Sequence, residues 1–89
     1  MVKIRTLANQ NIEKLDQKEF LMLVKILQEY QNAKRKHHCL KSRHEGYAVI
    51  LEELDETWEV IKKGAGESTV LSEIQAVGAM VLRFMVDLL

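Results

Sequence analysis

Eighty-nine residues suit a single domain, and a composition that is 47% hydrophobic, with four Gly and no Pro, excludes a disordered or collagen-like chain. Thirteen basic residues balance thirteen acidic ones, which argues against a dedicated nucleic-acid binder, a class that usually carries a positive field. Cys39 is the only cysteine, so no intramolecular disulfide is expected.

The N-terminal residues 1 to 15 have no decisive pattern, and a helix, an extended arm and a disordered tail stay open for them. The first start signal is Asp16 with Glu19 three residues on, the spacing of a capping box. It predicts a helix from about Gln17 to Lys36, with Phe20, Leu23, Val24, Leu27 and Tyr30 on one packing face and Asn32 elsewhere on the circumference. Residues 37 to 43 lack periodicity and read as a loop.

A second helix is expected from about Glu45 to Lys63, with Tyr47, Leu51, Leu54, Trp58 and Ile61 as its core stripe. Lys62 and Lys63 followed by Gly64, Ala65 and Gly66 form a stop signal. Ser68 or Thr69 is the expected cap of a third helix running to Leu89. That helix is apolar around most of its circumference, more than two other helices in so short a chain can cover, so pairing with copies of itself is expected.

Charge is sorted along the chain: residues 34 to 44 hold five Lys or Arg and no acid, and residues 45 to 59 hold six acids and no Lys or Arg. Glu53 and Glu56 lie one helical turn apart, and Glu73, near the start of the next antiparallel helix, can approach the same level. A cage of carboxylate oxygens suits a hard cation such as Mg²⁺. Arg83 and Asp87, at i and i+4, read most simply as an intrahelical ion pair, with a substrate phosphate as the alternative partner of Arg83. Lys34, Arg35, Lys36, Lys41 and Arg43 are candidate phosphate neutralisers at the rim, or solvated charges at a helix end. With no stretch of signal-peptide character and no uncharged run of about 18 residues, a cytoplasmic protein off the membrane is expected.

The segments His44-Glu45-Gly46-Tyr47, Leu51-Glu52-Glu53-Leu54-Asp55-Glu56-Thr57-Trp58 and Glu73-Ile74-Gln75-Ala76-Val77-Gly78-Ala79-Met80 resemble a phage- or prophage-type MazG-like protein. The likeness spans residues 44 to 88, about half the chain. It implies an all-α bundle of antiparallel helices over residues 1–89, completed as a homodimer or homotetramer, that cleaves ribo- or deoxyribonucleoside triphosphates to monophosphate and pyrophosphate. By the same resemblance Glu53, Glu56 and Glu73 hold Mg²⁺ or Mn²⁺; with an ion there, Glu52 is the candidate to orient or deprotonate the attacking water, and Lys41, Arg43 and Arg83 are the candidate contacts to substrate. Where family members usually carry Asp, three residues after Glu73, this chain has Ala76. Gln75, about 100° around the helix, is a poor substitute, and Asp87, about 21 Å along the axis from Glu73, cannot complete the same cage. A catalytically reduced relative that binds nucleotide or metal, or serves as an interaction module, is the alternative expectation.

Overall fold

The structure, a computed structural model, describes residues 9–89; the expectations for residues 1 to 8 lie outside it. Residues 9 to 13 are helical and lead through a turn to Asp16. Three long helices follow: α1 (Gln17–Lys36), α2 (Arg43–Lys62) and α3 (Glu67–Leu88). Among the described residues there is no strand.

The start of α1 is the expected capping box. Asp16 Oδ1 accepts from the Glu19 N–H at 2.8 Å, and Glu19 Oε1 accepts from the Asp16 N–H at 2.9 Å. Two N–H groups that the first turn leaves without helical partners are thereby satisfied. α2 begins two residues earlier than predicted because Ser42 caps it, its Oγ accepting from the Glu45 N–H at 3.0 Å. The Glu45 side chain reaches one residue further back and accepts the Lys41 N–H at 2.8 Å.

Gly64 takes φ +73°, a left-handed conformation that glycine adopts without steric cost, and it ends α2 where expected. The third cap differs from the prediction. Gly66 is the N-cap of α3 and offers no side-chain hydrogen bond, so Ser68 and Thr69 lie inside the first turn. The helix starts earlier because the chain leaves the Gly64 turn already aligned, with Glu67 placed against the positive end of the helix dipole.

α3 is the shared element, and both α1 and α2 pack on it. Ala33, Ala79 and Met80 form the buried cluster, with Tyr30, Val49 and Ile50 packed against it. Contact is closest at two glycines. A Cβ on Gly46 would lie 2.5 Å from Phe84 Cδ2 and 2.8 Å from Leu88 Cδ1, and one on Gly78 would lie 3.0 Å from Ile26 Cδ1. The Gln75 amide also donates to the Lys25 carbonyl at 2.8 Å, fixing α1 against α3.

The predicted core stripe of α2 is corrected by the structure. Tyr47, Leu51, Leu54, Trp58 and Ile61 are 65, 41, 46, 56 and 46% exposed. The inner face of α2 is instead built from Gly46, Val49, Ile50, Glu53, Thr57 and Val60, a second stripe at helical spacing. Small residues on that face permit the close approach to α3, whereas aromatic rings in the same places would hold the helices apart. On α1, Phe20, Leu23 and Leu27 are likewise exposed, while Val24 and Tyr30 are half-buried. α3 itself reaches a mean hydropathy of 1.4 over 18 residues, and by length and composition it meets the requirements of a membrane-crossing helix; here it is the wall on which the other two helices lie.

Replacing Gly46 by Val forces Phe84 and Leu88 off their positions, and is expected to lower the unfolding free energy by about 1 to 3 kcal/mol, measured by urea denaturation followed by circular dichroism.

Candidate functional site

α1 runs parallel to α3 and α2 runs antiparallel to it, which leaves a cleft between α1 and α2 with α3 as its floor. The cleft encloses about 370 Å³. Glu29, Asn32 and Lys36 line it from α1, Glu45, Glu52 and Glu53 from α2, and Ala76, Met80 and Arg83 from α3. The loop residues His37, His38 and Leu40 close one end.

At the other end the three predicted carboxylates meet. Glu53 and Glu56 on α2 and Glu73 on α3 each bring an oxygen within 4.8 Å of the others. The geometry follows from the fold: Glu53 and Glu56 are one turn apart, and the Gly64 turn returns α3 antiparallel so that Glu73 stands beside them. Glu53 and Glu73 are half-buried and Glu56 is exposed. Glu53 also lines the cleft, which makes it the link between the carboxylate cluster and the enclosed space.

Electrostatics at this cluster are unfavourable without a counter-ion. The Glu53 carboxyl is pushed above the usual glutamate range, chiefly by burial and then by the charges of Glu56 and Glu73, with a smaller contribution from Glu52. Three like charges held together by two packed helices are an arrangement that a divalent cation would relieve. The donor set is all oxygen, as hard cations require. Glu52 is exposed and lines the cleft beside Glu53.

Arg83 and Asp87 do not form the expected ion pair. The Arg83 guanidinium donates to the His38 carbonyl at 2.7 Å and makes a weak contact to Met80 Sδ at 3.6 Å. Asp87 Oδ2 accepts the Leu40 N–H at 2.9 Å. Both side chains therefore tie the loop between α1 and α2 to α3. The loop backbone has polar groups that no helix satisfies, and that demand outweighs a surface pair of modest value.

Lys41 and Arg43 are separated from the cleft. Both are exposed, and neither lines the enclosed space, because the chain turns outward at Ser42 to begin α2. The cations that do line it are Lys36 and Arg83, beside the imidazoles of His37 and His38. Glu29 and Asn32 went unrecognised in the sequence. Their only signal is that they follow one another by three residues on the face of α1 that also carries Ala33 and Lys36. Gln75 packs α1 against α3 through its bond to the Lys25 carbonyl, and Ala76 lies on the cleft floor.

No protein-family model, curated protein or solved structure matches this chain.

Because the folded state holds Glu53 with a raised proton affinity, the cation-free protein loses stability as pH rises from the ordinary glutamate value, about 4.3, through the raised one. Glu53→Gln removes this loss. Its midpoint of thermal unfolding is expected to exceed that of the parent chain at pH 7 in chelator-treated buffer, with the difference fading below about pH 4, where unfolded glutamate is protonated too.

Proposed function

We propose that this chain is a MazG-like nucleoside triphosphate pyrophosphohydrolase, acting on ribo- or deoxyribonucleotides in the cytoplasm. The observation that carries the reading is the convergence of Glu53, Glu56 and Glu73 within 4.8 Å at the mouth of a cleft that also holds cationic side chains. These are the positions at which the sequence resembles the metal-binding run of that family.

Glu53, Glu56 and Glu73 would hold Mg²⁺ or Mn²⁺. Such an ion supplies charge stabilisation to the phosphates it touches. Glu52, exposed in the cleft beside Glu53, accepts a proton from water as the water oxygen bonds to the α-phosphorus. The bond from the α-phosphorus to the bridging oxygen breaks, and pyrophosphate leaves with the electron pair. Arg83 and Lys36 offset the charge of the phosphate chain from the other end of the cleft.

A second reading is favoured by Ala76, which contributes no carboxylate to the cleft floor. In that reading the chain binds nucleotide without cleaving it. Pyrophosphate release from a panel of nucleoside triphosphates separates the two. The enzyme reading expects turnover with Mg²⁺ or Mn²⁺ that Glu53→Gln abolishes, and an absence of turnover by the folded protein sinks it. Under the second reading Ala76→Asp is expected to tighten divalent-ion binding by about tenfold, through the added ligand charge, as measured by calorimetry.

The same reading has the chain complete its core as a homodimer or homotetramer. What supports this is the outer stripe of Tyr47, Leu51, Leu54, Trp58 and Ile61, contiguous along α2 and exposed, whereas isolated monomers rarely show so continuous an apolar face. Sedimentation velocity is expected to show an assembly of two or four chains that Leu54→Glu combined with Trp58→Glu reduces to monomers; a monomeric parent chain at micromolar concentration rejects the assembly.

A further inference from the structure

The three long helices form one layer. α1 and α2 flank α3 and pack on it rather than on each other, and the molecule is flattened, 45 × 33 × 19 Å along its principal axes. Domains ordinarily bury their apolar faces between two layers, so a single layer leaves one side of its core uncovered. The cleft occupies one broad side of this layer.

The opposite side is apolar on all three helices. On α1, Phe20, Leu23 and Leu27 are exposed in a direction roughly 180° round an ideal helix from Glu29, Asn32 and Lys36, which line the cleft. On α3, Ile74, Val81 and Met85 are exposed roughly 150° round from Ala76, Met80 and Arg83. The outer stripe of α2, with Leu54 and Trp58 at its centre, likewise lies roughly 150° round from Glu45 and Glu52. Three stripes that each turn away from the cleft merge into one surface with α3 in its middle.

Size and charge decide what covers this surface. With 41 to 65% exposure each, these side chains present on the order of 800 Å² of apolar area, more than the largest patch of a typical monomer and as much as one partner brings to a stable interface. Charges in line with the stripes balance: Asp16 and Glu67 lie at one end of the layer, Lys34 and Arg43 at the other. That is not the cation-rich rim that holds an amphipathic surface on anionic lipid. A second copy brings a surface of the same area and polarity, and a two-fold contact requires a face that is its own complement.

We propose that two copies of the chain stack these faces about a two-fold axis, giving a two-layer dimer whose clefts open on opposite outer sides and are each built from one chain alone. This rests on the self-assembly stated under the proposed function, which it narrows to two chains and to a contact shared by α1, α2 and α3; it requires no activity.

The test is sedimentation velocity over a concentration series, with Leu27→Glu on α1 and Val81→Glu on α3 as separate variants. The parent chain is expected to sediment as two chains. Each variant is expected to raise the dissociation constant at least about a hundredfold, because two-fold symmetry puts every substitution into the contact twice. Both substituted side chains are exposed within one chain, so helicity by circular dichroism is expected to persist. As a check free of substitutions, NMR spectra of the parent chain on dilution should shift the Leu27, Val81 and Met85 amides and leave those of Glu52 and Ala76 in place. An assembly of four chains, or a dimer indifferent to both variants, overturns this arrangement while leaving self-assembly standing. A monomer at micromolar concentration overturns both. So does a monomer that cosediments with vesicles of phosphatidylcholine and phosphatidylserine, which assigns the surface to lipid.

Discussion

The close approach of α1 and α2 to a single wall, α3, governs the rest of this structure. It is made possible by what is missing: Gly46 and Gly78 have no side chain where Phe84, Leu88 and Ile26 need room, and Ala79 is fully buried between its neighbours. Large apolar side chains are not the main filling, since no large side chain in the described residues is fully buried. Interdigitation of small and medium groups must therefore supply the dispersion contacts that a larger core draws from aromatic rings. Because the two outer helices meet the wall rather than each other, a trough is left between them. The cleft is a product of the packing, and the polar groups that line it from α1, α2 and α3 are placed there by helix phase, while His37 and His38 reach it from the loop.

Along that trough most of the acids come from α2 and the start of α3, with Glu29 added from α1, while Lys36 at the end of α1 and Arg83 in the middle of α3 supply the fixed positive charges. Each group is held against its own electrostatic preference. Glu53 resists ionisation chiefly because it is partly buried and then because its neighbours share its sign, and Arg83 is enclosed without a carboxylate partner. Arrangements that cost stability in the isolated chain and would be relieved by ligands of opposite charge are a recurring mark of binding sites. Here both kinds occur in one cleft.

How much of this was legible in the sequence varied with the range of the interaction. The capping box at Asp16, the stop at Gly64 and the meeting of Glu53, Glu56 and Glu73 all depend on local spacing plus one antiparallel turn, and those came out as read. The inner face of α2 did not. Two apolar stripes coexist on that helix, and hydrophobicity alone favours the one with Tyr47 and Trp58, although the closeness of α3 admits only the smaller one. Arg83 and Asp87 were misassigned for a related reason. The i, i+4 rule weighs two side chains on one helix, whereas their actual partners, His38 and Leu40, are 45 and 47 residues away in the chain. The α1 wall of the cleft, with Glu29 and Asn32, depends on how the helices are arranged in space, which residue spacing does not encode.

The pair of tethers from α3 to the loop gives the chain an unusual mechanical layout. Arg83 grips the backbone just before Leu40 and Asp87 grips Leu40 itself, while Lys41 is held from the other side by Glu45. The peptide bond between Leu40 and Lys41 thus joins two segments that are each already anchored. Severing it would leave both anchors in place and would give Lys41 a charged amino terminus beside the Glu45 carboxylate. The molecule can accordingly be viewed as two interlocking pieces, one of α1 and its loop and the other of α2 with α3, whose reassembly from separate fragments is governed by side chains more than by chain connectivity.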